Sequence, residues 1–479
     1  MKRYAQVKST NTPWFENTAS HWVGRRLSTC VSSLQSGARE QSKASEVDGI
    51  PNLGGEHIGK DGLIIRKGMR FISKEFYNSM RSGVIKEKDL LLVKDGATIG
   101  KISYINTMPY PECSVNEHVY ILRTKRNEDT KYIYYLFRSL PIQEQIWLNV
   151  RGSAQPGLTA QFLKNIDIQI PAIDEQTKIA RYLDYKNYQI NKYIRIKKRQ
   201  IELLKELKQT IINDAVTGKI DVRTGKPYPK YKDSGVDWLG MIPDDWVLRK
   251  LKQVASIKPS GVDKLSKEDE VPVNLCNYTD VYNNEYITSD MTFMSATVTK
   301  GEFADYSLLK GDIVVTKDSE IWNDIGVPAL IIQDIADLVC AYHLCIIRPF
   351  HEDLESKFIL RALQAKAYQY QFHIRANGIT RYGISKNAIG YALIAVPPYD
   401  VQKSICVHVN ESCLMIDAQI ENINNQIPVI KELQNRLISD VVTGKMDVRE
   451  IAVPDLPDEE LEPAYEMEEE PVEEIENAD

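Results

Sequence analysis

The chain has 479 residues, 43% of them hydrophobic, which suits roughly two to four domains rather than a single core. No run of about 18 apolar residues occurs, so no membrane span is expected, and no apolar stretch follows the basic start Met1–Tyr4, so no secretion signal is expected either. The formal charge of −6 hides a tail, Ile451 to Asp479, with 13 Asp or Glu and no Lys or Arg; without it residues 1–450 carry +7, a balance compatible with nucleic acid.

The 7 cysteines are scattered without a CxxC pair and read as reduced thiols of a cytoplasmic protein. The 7 histidines have no HExxH or paired-ligand spacing, so no metal is expected.

In chain order, residues 1–165 read as mixed α and β. Asp89-Leu-Leu-Leu-Val93 is a short apolar run of the buried-strand kind, followed by the polar turn Lys94-Asp95-Gly96. His118-Val-Tyr-Ile-Leu-Arg123 predicts another strand, and a helical stretch is expected around Tyr132–Leu148. The polar loop Arg151-Gly-Ser-Ala-Gln-Pro-Gly-Leu158 follows. From Gln176 to Asp214 the pattern predicts one long helix of about 60 Å. Ile190, Ile194, Ile201, Leu204, Leu207 and Ile211 recur along it as a narrow seam that Lys197 interrupts, and Thr217-Gly218 supplies a left-handed stop.

The same order then returns. Asp312-Ile-Val-Val315, Lys317-Asp318-Ser319, His343-Leu-Cys-Ile-Ile-Arg348, a helical stretch at Lys357–Phe372 and the loop Arg375–Gly383 repeat the first half. A second long helix carries Ile416, Ile420, Ile423, Ile427, Ile430, Leu433 and Leu437 at steps of three and four, with Pro428 expected to kink or break it. Pro171–Arg223 aligns with Pro397–Arg449 without a gap at an offset of 226, with about 20 of about 53 positions identical. Trp14 and Trp22 match Trp238 and Trp246 at an offset of 224. The chain is a tandem duplication. A seam this narrow needs a partner helix, and the economical partner is the other copy, packed antiparallel.

Several of these segments resemble the specificity subunit of type I restriction–modification enzymes. They are Tyr231-Lys-Asp-Ser-Gly-Val-Asp-Trp-Leu-Gly-Met-Ile-Pro243 leading to Trp246, Asp89–Gly100, Gly152-Ser-Ala-Gln-Pro-Gly157, Ile170–Gln176 and the doubled Val-Thr-Gly-Lys. The first copy keeps Trp14 but lacks the Asp-Ser-Gly of the domain entry, and the acidic tail is outside the family pattern. The resemblance implies an α+β chain: two similar target recognition domains separated by two long antiparallel coiled-coil helices, with pseudo-two-fold symmetry. The corresponding segments are recognition domains at 1–165 and 226–395 and helical spacers at 166–225 and 396–449; the acidic composition of 450–479, outside the family pattern, predicts a disordered tail. The resemblance further implies that each domain reads half of a split target in double-stranded DNA. The helices would dock two DNA adenine methyltransferase subunits, and restriction and translocation subunits would join them. S-adenosylmethionine, ATP and magnesium would serve those partners, leaving this chain without cofactor or catalysis.

Three catalytic look-alikes have plainer readings. Gly96-Ala-Thr-Ile-Gly100-Lys101 is one residue short of a phosphate loop and continues with Ile102 where Ser or Thr would ligate magnesium, so a strand-linking turn is expected. Val396-Pro-Pro-Tyr399 lacks the side-chain acceptor of an adenine methyltransferase loop and suits a helix entrance. Asp318 and Glu320 beside Lys317 suggest a nuclease centre only as any charged surface would.

Loops that differ between the copies are the natural readers of different half-sites. The candidates are Lys94, Thr98, Lys101, Arg151, Ser153 and Gln155 in the first domain. In the second they are Lys317, Asn377, Thr380 and Arg381, with Arg375 on a phosphate. For spacing and docking they are Ile190, Ile194, Ile201, Leu204, Ile416, Ile420, Ile427 and Ile430. The alternatives are a coiled-coil scaffold with two protein-binding domains and a self-contained modification enzyme; the absence of a Gly-rich methyl-donor motif speaks against the latter.

Overall fold

The computed structural model describes residues 2–10, 12–40, 49–152, 156–350 and 354–455. They form two compact units, Met1–Lys197 with Asn425–Asp479, and Lys198–Asn424. Each unit thus contains part of both long helices. Among the described residues, no helix is long and apolar enough to cross a membrane.

In the first unit the central sheet has the order Val31–Ser36, Val119–Thr124, Leu90–Val93, Ile102–Tyr104, all antiparallel. Every residue of Leu90–Val93 is buried. The reason is two-sided packing: Leu90 and Leu92 join one apolar cluster, Leu91 and Val93 another. Successive side chains of a strand point to opposite faces, so a strand covered on both reads as an unbroken apolar run. The second unit repeats this antiparallel order in Ala255–Pro259, Leu344–Pro349, Ile313–Thr316, Pro328–Ile331 and adds Tyr286–Ile287, parallel to Pro328–Ile331, at the edge. There Ile313 and Val315 face one cluster and Val314 the other. The entry hairpin forms in both copies, Val7–Ser9 with Asn17–Ala19 and Tyr231–Asp233 with Met241–Pro243. The first needs no Asp-Ser-Gly, because the Thr10 N–H donates to the Glu16 carbonyl at 3.2 Å and closes the loop.

The single helical stretch expected over Tyr132–Leu148 is two helices, Thr130–Arg138 and Leu140–Leu148, and so is its counterpart, Ser356–Gln364 and Lys366–His373. Ser139 between the first pair is extended at ψ 145, and Pro141 follows in the first turn, where its missing N–H costs nothing. Ala365 makes the same break at ψ 131 without a proline; it is fully buried, so packing rather than local propensity sets the corner.

Both long helices, Ile173–Val216 and Tyr399–Val442, have 44 residues, about 66 Å each. Within the first unit Glu175 lies 4.0 Å from Arg449, and Asn187 accepts from Gln434 at 2.9 Å. Within the second, Lys208 pairs with Asp417 and Arg223 with Asp400. Rising numbers meet falling ones in both, so the segments are antiparallel. Of the kink or break expected at Pro428, no break occurs: the second helix runs through it. Pro428 and Asn424 are both exposed, so the carbonyl that loses its N–H partner can turn to water.

Both helices stop at a glycine with left-handed backbone, Gly218 at φ 75 and Gly444 at φ 79. A Cβ on Gly444 would lie 2.8 Å from Thr18 Oγ1 and 3.3 Å from the Trp22 ring; on Gly218 it would lie 2.4 Å from the Pro243 ring. Trp22 and Trp246 are fully buried there. In the first unit Glu175 accepts from Tyr4 Oη at 2.7 Å and Trp22 Nε1 at 3.1 Å, and contacts His21 at 2.7 Å. Burial first, then this carboxylate, pushes the Tyr4 phenol up. Val401 stands at the matching position of the second unit, so no carboxylate there serves Tyr228 and Trp246, whose rings meet edge-on at 5.9 Å.

Two stability effects follow. Gly444→Ala should cost about 1–3 kcal/mol, from positive-φ strain plus contact with Thr18 and Trp22. Glu175→Val should cost about 1–3 kcal/mol by leaving buried donors unpaired. Thermal unfolding of the full chain followed by circular dichroism reads both; an unchanged Tm in either variant contradicts the corresponding assignment.

Candidate nucleic-acid interface

The candidate readers stand on a base that both copies build alike. Arg123 grips Asp89 bidentately at 2.7 and 2.8 Å and donates to the Val84 carbonyl; Arg348 grips Asp312 at 2.6 Å twice and donates to the Ser307 carbonyl. Each Arg ends one central strand and each Asp opens its neighbour, so the pair fixes their register. The guanidinium–carboxylate hydrogen bonds hold both arginines above their ordinary pKa. Gln176 and Gln402 do a second shared job. Each accepts the backbone N–H at the start of a helix, from Asp129 and Glu355, and donates to the proline carbonyl before its own helix.

At the far end of the central strands lies the polar turn. In the first unit Lys94 Nζ is 3.5 Å and His118 Nδ1 3.3 Å from Asp95 Oδ2. In the second, Lys317 Nζ is 3.2 Å and His343 Nδ1 3.0 Å from Asp318 Oδ2. A short ladder lies alongside: Arg151 pairs with Gly157, which bridges Asp95, and Asn377 bridges Gly383, which pairs with Asp318. A Cβ on Gly157 would meet Asp95 Oδ1 at 2.4 Å, which explains a residue without a side chain there. Tyr120 Oη donates to the Leu158 carbonyl at 3.0 Å and its ring lies under Lys94; burial, then the Asp95 charge, pushes its phenol up.

This geometry brings several candidates together. Lys94, Thr98 and Lys101 share one connection, and Lys94 and Arg151 flank the same ladder. Lys94 and Thr98 are half-buried and Arg151 is exposed. Ser153 and Gln155 lie outside the described residues. In the second unit Asn377, Thr380 and Arg381 are exposed on the loop that returns to Asp318. Arg375 is half-buried and donates to the Ala388 carbonyl at 3.3 Å, and Lys317 is held by Asp318. Of the spacer candidates, Ile194, Ile201 and Ile416 are buried, and Ile190, Leu204, Ile420, Ile427 and Ile430 are half-buried. Leu207 and Leu433, expected in the same seam, are 48% and 58% exposed.

Other residues belong to this surface that the pattern reading passed over. His118 and His343 were assigned only to strands, although their repetition opposite Lys-Asp in both copies was a usable signal. The second unit adds aromatics from separate segments: Tyr278 stacks on Tyr282 with centroids 5.4 Å apart, and Trp322, 50% exposed, meets His373 edge-on. The hydrogen bond from Tyr282 to Asp324, then burial, pushes that phenol up to about 12. No periodicity marks such a patch.

Two of the catalytic look-alikes are connections between elements. Gly96–Lys101 links the strands Leu90–Val93 and Ile102–Tyr104, so no helix follows it to receive a phosphate. Val396-Pro-Pro-Tyr399 joins the strand Leu393–Val396 to the second long helix. Among the described residues, no group of three His, Cys, Asp or Glu is placed to hold a metal ion.

Comparison with known proteins identifies the family and the fold. Residues 45–206 and 243–429, more than half of the chain, match the family described as the type I restriction modification DNA specificity domain. The type I restriction enzyme MjaVIII specificity subunit of Methanocaldococcus jannaschii is 23% identical over 420 residues, covering 85% of this chain and 88% of that protein. The type I restriction enzyme EcoprrI specificity subunit of Escherichia coli is 25% identical over 135 residues, 27% of this chain and 32% of that one. A solved structure described as the structural basis of complex assembly and conformational transition of the type I R-M system contains a chain of the same fold. It covers 90% of this chain and 99% of its own length, with a TM-score of 0.64 at 15% identity. The chain therefore belongs to the DNA specificity family of type I restriction–modification systems, as a non-catalytic subunit that recognises DNA sequence.

Proposed function

We propose that the chain reads a bipartite DNA target, one half with each recognition domain, and docks methyltransferase and restriction subunits of a type I complex on its long helices. The observation that carries this reading is the doubled family match, 45–206 and 243–429, on two copies of one fold. Two domains with the same scaffold and different loops suit two different half-sites. The long helices would set the unread gap. S-adenosylmethionine, ATP and magnesium belong, on this reading, to the partner subunits, and this chain supplies address and assembly.

For docking, exposure favours residues other than the seam. Leu203 and Leu207 are 49% and 48% exposed, and Val429 and Leu433, at matching places of the second helix, are 54% and 58% exposed. Each pair is spaced i, i+4, so it forms one apolar spot on a helix face. The duplication repeats the spot, which suits two copies of one methyltransferase subunit. A bare coiled-coil scaffold would share the helices but has no use for two DNA specificity domains.

Three outcomes are expected. Co-expressed with its methyltransferase partner, the chain should direct N6-methyladenine to one split, asymmetric motif; no motif with a folded, bound partner would contradict the reading. Leu207→Lys with Leu433→Lys should weaken partner association at least about fivefold, measured by calorimetry, and leave the motif unchanged; unaltered association would exclude these spots. Inserting four residues in both helices adds about 6 Å and should lengthen the gap by about two base pairs at ~3.4 Å each; an unchanged gap would exclude the helices as its ruler.

A further inference from the structure

The duplicated Asp–His pair points beyond general DNA binding. Both copies keep an aspartate on the turn after a central strand and a histidine opposite it, Asp95 with His118 and Asp318 with His343. The loops around them differ, and so does the group at the far side of each imidazole. In the first unit His118 Nε2 faces Glu117 at 3.6 Å. In the second, Arg381 Nη2 lies 3.4 Å from His343 Nε2.

That contact defines a relay. A guanidinium can only donate, so Nε2 of His343 must be the acceptor. The ring proton therefore sits on Nδ1 and is donated to Asp318 Oδ2 at 3.0 Å. Lys317 Nζ also donates to Asp318 Oδ2, at 3.2 Å, which balances the carboxylate charge. Arg381 Nη2 is thus anchored at the imidazole. His343 is itself fixed: its side chain is 13% exposed, and the Tyr342 ring lies 3.6 Å away, centroid to centroid. Arg381 is exposed, on the loop beside Ile379, which is 94% exposed. Among the described residues the contact with His343 is the one hydrogen bond of Arg381, which leaves the rest of the guanidinium fork for a ligand.

We infer that Arg381, oriented by His343 and Asp318, reads a guanine in the half-site of the second domain. A phosphate contact tolerates a mobile cation; a paired contact to guanine O6 and N7 requires a fixed guanidinium plane, and a relay of this kind fixes one. His343 and Asp318 are positioning residues, and Arg381 is the residue that touches the base. The inference rests on the DNA-reading function proposed above and adds a base identity to it.

The test uses the assembled complex of the full chain with its methyltransferase partner. Affinity is measured for duplexes carrying each of the four bases at every position of the second half-site. The wild-type complex should prefer guanine at one position by about 5-fold to 150-fold. Arg381→Lys keeps the charge and should erase that preference while other positions keep theirs. His343→Leu should reduce the same preference, and His343→Gln, whose amide can donate to Asp318 and accept from Arg381, should restore most of it. Arg381 is exposed, so its variants also control for misfolding caused by changes at His343. A preference left intact by Arg381→Lys, or a loss spread evenly over all positions, overturns the guanine assignment while leaving the specificity function standing. A wild-type complex with no base preference anywhere would instead sink the functional reading on which it rests.

Discussion

The end of each long helix is the constraint on which the rest of the structure depends. In the first unit the carbonyl of Val442 accepts from Tyr132 Oη and that of Thr443 from Thr18 Oγ1, while Gly444 packs on Trp22. In the second, the Val216 carbonyl accepts from Tyr368 Oη, and Gly218 packs on the Pro243 ring. A helix end leaves carbonyls without partners, and burial makes satisfying them obligatory. Tyrosine and threonine hydroxyls do this here, and glycine allows the chain to turn away in the left-handed region. The helix that ends in the first unit, Tyr399–Val442, comes from the second copy, so the first domain is closed by a segment of the second. That interdependence explains why the best-matched segment between the copies is the helical one, with Val-Thr-Gly-Lys at its end.

The copies then divide into what both must keep and what each can change. Asp89–Arg123 and Asp312–Arg348, Gln176 and Gln402, and the two glycine stops hold strand register and helix position. Change is tolerated even in the closure network: Glu175 satisfies Tyr4 and Trp22, and Val401 at the matching place does not reproduce those bonds. The loops at the far end of the strands differ most, and there the first unit offers a lysine and an arginine while the second adds tyrosines and Trp322. A shared frame with differing loop edges suits the bipartite reading proposed above.

Much of this was legible in the sequence because it rests on local periodicity. Leu90–Val93, Ile313–Thr316, both long helices and their glycine stops follow from apolar spacing and turn chemistry. The rest depends on contacts that spacing does not encode. Ala365 breaks a helix because its surroundings are packed, not because its propensity is poor. Pro428 fails to break one because its missing hydrogen bond faces solvent. Leu207 and Leu433 fit the seam by number but point outward, since a 3.6-residue helix drifts from a fixed 3.5-residue stripe. At the candidate site, Arg381 was legible as an exposed loop cation. The histidine behind it was marked only by its repetition opposite Lys-Asp, and its role comes from three segments that meet only in the fold.

The most direct test of the account is equilibrium binding of the assembled complex to four duplexes at one fixed salt concentration: both half-sites intact, either one scrambled, or both. If the chain carries two readers on one frame, each scrambled half weakens binding by about 1–3 kcal/mol per contacted base pair, and the two losses add. Equal affinity for all four duplexes, falling only as salt rises, would mean that the chain grips phosphates without reading sequence, and would contradict the central claim.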